Sequence, residues 1–342
     1  MKAVVLTQKG EARKSLQIQD VPTPEPNSGE LRIKVECFGL NYADVMARLG
    51  LYDAAPKMPC IVGYEVVGIV DKVGKDVDQS LLHKRVVAFT RFGGYAQYAV
   101  TKADAVAEIG DMDGGEACAI AVQYATAYYM TIDQINLYPG DKVMIHAGAG
   151  GVGTALIQLC KMKGCEVFSN AGSDDKLDYM KSQGADHVMN YRKEDYLTSI
   201  QEKLGLGKMQ AAFNPIAGST FKKDMKLLSA GGKLMLFGGS ERSGKKWGIL
   251  STLNFVRKMG IMIPIGLLMG SKSVMGVNML NIGDQQPHVL RRCMMGVIEL
   301  VKAKNIKPHV GAKFGVKQVA EAHELLESRK SVGKVVVYWE NN

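Results

Sequence analysis

Apolar residues in the N-terminal part of the chain fall in short runs cut by turn-forming residues, the pattern of a β-rich domain. Strands are predicted at Ala3-Val4-Val5-Leu6, Pro22 to Pro26, Leu31 to Val35, Val66 to Val70 and Arg85 to Phe89. From about Thr126 strands alternate with amphipathic helices, beginning with Lys142-Val143-Met144-Ile145-His146-Ala147. The helix that follows places Val152, Ala155, Leu156, Leu159 and Cys160 on one face, at spacings of three and four. Further strands are expected at Glu166 to Ser169, His187 to Asn190, Gln210 to Phe213, Lys233 to Phe237 and Val274 to Val277. This βαβ alternation predicts a doubly wound parallel sheet. Beyond about Asp284, a helix from His288 to Lys304, Phe314, a helix from Val316 to Glu327 and a strand from Gly333 to Trp339 form a tail expected to return to the first domain.

The link between the first parallel strand and its helix reads His146-Ala147-Gly148-Ala149-Gly150-Gly151-Val152-Gly153. A glycine fingerprint that follows a strand and opens a helix is the context of a dinucleotide site. Gly148 permits the turn, Gly150 lets the backbone approach a pyrophosphate, and Gly153 lets helix and strand pack closely. The helix N-terminus, at Gly151 and Val152, faces the phosphate charge. An NAD site usually carries a carboxylate at the end of the next strand. Here that segment is Ser169-Asn170-Ala171-Gly172-Ser173, and Asp174 and Asp175 follow where a helix N-terminus recruits acidic caps. Lys176 and Tyr191 can reach a 2'-phosphate instead, although Lys176 could also lie on a solvated helix face. NADPH is therefore the expected cofactor. Gly238, after the fifth strand, completes the candidate cofactor residues with Ser173.

A chain of 342 residues accommodates two domains, and 46% hydrophobic with 23% charged residues is a globular balance. The net charge of +9 comes from 43 basic against 34 acidic residues without a long basic run, so no nucleic-acid partner is expected. The six cysteines include no C-x-x-C pair and read as reduced, buried thiols. The N-terminus has no signal-peptide pattern, so a cytoplasmic location is expected. The apolar stretch Ile261 to Gly270 is far shorter than the roughly 20 residues of a bilayer span. It reads either as a buried connection at a dimer interface or as a substrate or membrane contact.

Five segments carry a resemblance over essentially the whole chain: Gly39-Leu40-Asn41-Tyr42-Ala43-Asp44, Pro59 to Glu65, Gly94 to Tyr98, His146 to Gly153 and Gly184 to His187. Through them the sequence resembles the medium-chain dehydrogenase/reductases, and within these the quinone oxidoreductases. Asn41 to Arg48, Gly50 to Asp53 and Ile306-Lys307-Pro308-His309 resemble the VAT-1 homologue branch. The resemblance implies a GroES-like catalytic domain from residues 1–122 and 285–342, a Rossmann domain over 123–284, and a homodimer. It also implies that Asn41 and Asp44 lie beside the nicotinamide pocket, that Tyr52 and Tyr64 can line it, and that Thr126 approaches the cofactor.

The zinc ligands of the family's alcohol dehydrogenases fall here at Asn41, Tyr64 and about Val122, none of them a usual zinc ligand. The four-cysteine structural lobe is also missing. Without a metal to polarise a carbonyl, the substrate should already be electron-poor, a quinone or an α,β-unsaturated carbonyl. Asn41 could then donate a hydrogen bond to the substrate oxygen. Tyr64 or Tyr52 could relay a proton, or both could only pack against the ring, while Glu65 is expected to anchor the fold. The other reading is an NADPH-binding, VAT-1-like interaction protein with peripheral membrane contact and little turnover. An enoyl reductase domain of polyketide type is a third.

Overall fold

A computed structural model of the chain describes residues 1–242 and 248–339. In chain order its strands are β1 (Lys2–Leu6), β2 (Leu16–Asp20), β3 (Glu30–Leu40), β4 (Glu65–Val73), β5 (Arg85–Phe89), β6 (Tyr98–Lys102) and β7 (Val106–Glu108). There follow β8 (Lys142–Ile145), β9 (Glu166–Ala171), β10 (His187–Asn190), β11 (Met209–Asn214), β12 (Leu228–Leu236), β13 (Ser273–Gly276), β14 (Val310–Gly315) and β15 (Lys334–Tyr338). The chain divides into two compact units, Met1–Ala125 with Met279–Asn342, and Thr126–Asn278.

In the first unit β14, β15, β3, β4, β5 and β7 lie side by side in that order, with β6 also paired to β3. Along β3, Leu31, Ile33 and Val35 turn inward between Arg32 and Lys34, as a pleated strand with one wet face requires. They pack with Phe38, Leu40, Val66, Val86, Val335 and Val337 into one core. Two registers position the site. Antiparallel pairing sets Val335 opposite Leu40 and Val336 opposite Gly39, while β4 sets Val66 opposite Phe38. The starts of β15 and β4 therefore flank the end of β3, next to Asn41. The strand expected at Pro22 to Pro26 is absent: the second strand is Leu16–Asp20, paired antiparallel with β1. Pro22, Pro24 and Pro26 lack the N–H groups that a ladder needs.

In the second unit the sheet order is β10-β9-β8-β11-β12-β13 and every pairing is parallel. The first strand, β8, thus lies centrally, with its successors running outward on either side. This is the doubly wound order, and the crevice at the carboxyl end of its switch strand is where such sheets bind ligands. The helix Gly151–Met162 leaves that end and buries Ala155, Leu156, Leu159 and Cys160.

The apolar segment near residue 261 is longer than the sequence pattern implies. Leu253–Gly270 forms an 18-residue window of mean hydropathy 1.3, none of it buried inside the chain, with Ile261 96% and Met269 82% exposed. Exposure within one chain is what either reading of it requires, a dimer interface or a substrate or membrane contact. It is broken into the helices Gly248–Met259 and Pro264–Gly270, with Gly260 at positive φ and Pro264 opening the second.

Candidate functional site

In the second unit the turn after β8 is built for an anion. Ala147 takes a left-handed φ of 53°, and the Gly148 N–H donates to the Asn170 carbonyl at 3.0 Å. A Cβ on Gly153 would lie 2.3 Å from the Ala147 carbonyl oxygen and 2.7 Å from the Gly148 Cα, so only glycine lets the helix start this close to the turn. At Gly148 an added Cβ would collide with Ser169 Oγ at 1.9 Å, so this glycine serves packing against β9 as well as the turn. Gly150 is different: a Cβ there would meet only the Ala147 carbonyl, at 3.3 Å, and would otherwise fill open space before the helix. The first helical bond is Thr154 N–H to the Gly150 carbonyl, and no side chain caps the helix. The N–H groups of Gly151, Val152 and Gly153 thus face that space, which fits a pyrophosphate.

A buried network that sequence reasoning missed braces this turn from below. The Asn170 side chain accepts from Ala147 N at 3.3 Å and donates to His146 Nδ1 at 3.1 Å. His146 Nε2 donates to Asp224 at 2.8 Å, and the same carboxylate accepts from Tyr196 at 2.9 Å and from Asn214. His146 alone was visible in the sequence; its partner lies 78 residues away, on the helix Phe221–Leu227.

At the end of β9, Lys176, Tyr191 and Arg192 gather. A Cβ on Gly172 would sit 2.5 Å from the Tyr191 hydroxyl and 3.4 Å from Arg192 Nε. Lys176 is buried, not on a solvated face. Burial lowers its pKa below the ordinary lysine value, and the neighbouring Arg192 charge pushes the same way against Asp175. Two cations that feel each other's field, one of them desolvated, fit a dianionic phosphate. Sequence reasoning missed Arg192, although its place directly after Tyr191 was a signal. Asp174 does not act as a cap; its carboxylate accepts from Asn190 Nδ2 at 2.7 Å and pairs with Lys193. Ser173 lies at the start of this segment, Gly238 follows β12, and Thr126 is buried in the helix Ala125–Tyr128.

The first unit brings Asn41, Asp44, Tyr52, Tyr64 and Glu65 together. Asp44, fully buried, accepts from Asn41 N at 2.8 Å and Gly63 N at 3.1 Å, tying the start of the helix Tyr42–Arg48 to the segment before β4. Burial raises its pKa to about 7, with Glu65 adding to the rise and the Asn41 N–H and Lys334 opposing it. Glu65 is an anchor: Oε2 accepts from Val122 N at 3.1 Å, and Oε1 accepts from Asn41 Nδ2 at 2.8 Å and from Lys334. Burial raises its pKa despite Lys334. The Tyr64 hydroxyl is buried and, among the described residues, has no hydrogen-bond partner of good geometry. Tyr52 meets the Tyr64 ring edge-on at 6.4 Å between centroids, near enough for each phenol to act on the other's pKa. Burial, then the field of Asp44, raises the Tyr64 pKa, so the phenol keeps its proton. An orphaned buried hydroxyl costs free energy, and a ligand oxygen would satisfy it.

The donor set does not fit zinc. Asn41, Tyr64 and Val122 offer an amide, a phenol and an aliphatic side chain, and the Asn41 amide oxygen already accepts from the Lys334 ammonium at 3.2 Å. Among the described residues no three His, Cys, Asp or Glu side chains gather to hold a metal ion.

The chain matches two family models, the alcohol dehydrogenase GroES-like domain over residues 27–111 and the zinc-binding dehydrogenase over residues 151–303. It is 31% identical over 341 residues to the human synaptic vesicle membrane protein VAT-1 homolog, covering 98% of this chain and 86% of that protein. The crystal structure of the human VAT-1 homolog-like protein superposes with a TM-score of 0.85 at 29% identity, covering 100% of this chain and 99% of the other. The Escherichia coli quinone oxidoreductase complexed with NADPH does so with a TM-score of 0.85 at 26% identity, covering 99% and 100%. A GroES-like domain, a Rossmann sheet with its glycine turn, and relatives that align from end to end place the chain in the medium-chain dehydrogenase/reductase superfamily of oxidoreductases, with the VAT-1 homologues and quinone oxidoreductases among its kin.

Proposed function

We propose that the chain is a zinc-independent, NADPH-dependent reductase that delivers hydride to an electron-poor acceptor, a quinone or an α,β-unsaturated carbonyl. The observation that carries this reading is that one chain holds, each in its own unit, the glycine turn with Lys176, Tyr191 and Arg192 at the end of β9 and a polar cluster whose fixed cation is Lys334. The NADPH complex of the E. coli relative supports the cofactor. When bound, NADPH supplies the hydride. The amides of Gly151 to Gly153 hold the pyrophosphate, and the two cations and Tyr191 hold the 2'-phosphate. Asn41 Nδ2 donates to the acceptor oxygen as negative charge develops there, and the Tyr64 phenol, kept protonated by its surroundings, relays the proton that completes the reduction, regaining one from water through Tyr52 so that no tyrosinate is left. Such acceptors delocalise the incoming electron pair, so hydrogen-bond donors suffice where a simple ketone needs a Lewis acid. We further propose a cytoplasmic homodimer. The test is steady-state consumption of NADPH and of NADH at 340 nm with 1,2- and 1,4-quinones and 2-alkenals. Turnover with at least one class and preference for NADPH is expected; binding of NADPH without consumption would overturn the reading.

A second reading, an NADPH-binding protein that docks on membranes and turns over little, has one observation in its favour. The exposed window Leu253–Gly270 carries Arg257 and Lys258 but no acidic residue, a composition suited to an anionic lipid surface. Cosedimentation with phosphatidylserine vesicles, compared for the wild type and Leu268→Asp, tests it. A monomer produced by Leu268→Asp without any vesicle binding in the wild type would assign the window to the dimer instead.

A further inference from the structure

Lys334 had no place in any expected site, yet it is the most deeply committed charge in the first unit. It is fully buried, and its ammonium spends its three hydrogens on the Leu40 carbonyl at 3.1 Å, on Asn41 Oδ1 at 3.2 Å and on Glu65 Oε1. Glu65 in turn accepts from Asn41 Nδ2 at 2.8 Å. Both members of the ion pair therefore end on the two ends of one carboxamide. A flipped amide would set Nδ2 against an ammonium and Oδ1 against a carboxylate, so only one orientation survives. One Nδ2 hydrogen goes to Glu65, and among the described residues the second has no partner. Its direction is fixed by the same two contacts. The pocket that holds the pair is made by a missing side chain: a Cβ on Gly39 would lie 2.3 Å from Lys334 Cε and 2.5 Å from Glu65 Oε1.

We propose that Lys334 is a positioning residue which, resting on the reductase reading above, fixes and polarises the Asn41 amide so that its free N–H stabilises the oxyanion developing on the acceptor. A cation bound at Oδ1 withdraws electron density through the amide and strengthens its N–H donors, as linked hydrogen bonds in a dry interior do. The Lys334 ammonium thus sets against the Glu65 carboxylate, through the amide, part of the positive potential that a metal gives in other reductases. A packing role alone would not explain why both charges converge on one side chain, since buried ion pairs are commonly no more stabilising than apolar residues of the same volume.

The test compares the wild type with Lys334→Met and with the double variant Glu65→Gln/Lys334→Met, which leaves no lone buried charge. Melting curves and NADPH affinity by calorimetry establish that the double variant is folded. Two readouts follow: kcat against KM with a quinone, and binding of 4-nitrophenol, whose absorbance near 400 nm reports the phenolate as a stand-in for the oxyanion. The expected result in the double variant is a kcat lower by about 10- to 100-fold with KM for NADPH within about twofold, and weaker phenolate binding with the bound phenol ionising at higher pH. Unchanged kcat and unchanged phenolate binding in a folded double variant would overturn the role of Lys334. If the wild type shows no turnover, the reductase reading fails, and the phenolate titration still decides whether Lys334 arms the amide.

Discussion

Replacing Asp44 by asparagine should change how stability depends on pH more than it changes stability itself. The folded carboxyl titrates at about 7 against an ordinary value of 3.8, so folding takes up a proton between those limits. For a carboxyl raised in the folded state, stability is greatest below the unfolded value. It falls by about 1.4 kcal/mol per pH unit through the window and levels off above 7. The whole window corresponds to about 4 kcal/mol. A carboxamide in place of the Asp44 carboxyl could accept from only one of the two amides now held, Asn41 N and Gly63 N, which costs about 1–3 kcal/mol. The variant should thus be less stable than the wild type at pH 4.5 and equal or more stable at pH 8. The assay is urea unfolding of both proteins at half-unit steps from pH 4.5 to 8. Their difference cancels the groups common to both, and should shift toward the variant by several kcal/mol as pH rises. A difference that stays flat, or moves toward the wild type, would refute the assignment of a buried, protonated carboxyl.

Three further outcomes follow from single contacts. Gly153→Ala should weaken NADPH binding at least tenfold and lower stability by about 1–3 kcal/mol, because the new methyl meets the backbone at Ala147 and Gly148; calorimetry and thermal melts read both. Lys176→Ala and Arg192→Ala should each raise the Kd for NADPH by about 10- to 100-fold and leave NADH within about threefold, so an equal loss for both cofactors would remove these residues from the 2'-phosphate site. Tyr64→Phe deletes a hydroxyl that lacks a partner among the described residues and should leave stability unchanged or raise it by about 1 kcal/mol, while kcat falls tenfold or more; wild-type turnover would leave Tyr64 as a packing residue.

Much of this was legible because periodicity and glycine spacing are local signals. The alternation after Thr126 gave β8 to β13 and the helix between β8 and β9, and the fingerprint from Gly148 to Gly153 located the phosphate turn. The error at Pro22 to Pro26 is local too: the prolines mark extended chain that cannot pair, while Leu16–Asp20 supplies the ladder. What could not be read is long-range polar pairing. Glu65 and Lys334 are 269 positions apart and meet only because β3 lies between β4 and β15. A lysine opening the apolar run Val335-Val336-Val337 carries no hint of its partner. The same holds for Asp224, which looks like a surface residue of a charged helix until His146 and Tyr196 close over it. For Lys176 the sequence left two readings, a 2'-phosphate ligand or a solvated helix face, and burial by the fold removes the second.

Under the proposed function, hydride passes directly from NADPH to an electron-poor acceptor without a metal. A single-turnover reaction of the chelator-treated protein with stereospecifically C4-deuterated NADPH and a quinone or 2-alkenal, quenched and read by mass spectrometry, tests it most directly. With a 2-alkenal one deuterium should appear on the product's β-carbon; with a quinone, where the hydride can exchange from oxygen, stoichiometric NADP⁺ and hydroquinone should form. Both should form at a rate unchanged by chelation. Loss of turnover on chelation with recovery on added zinc, or cofactor that binds and is never consumed, would contradict it.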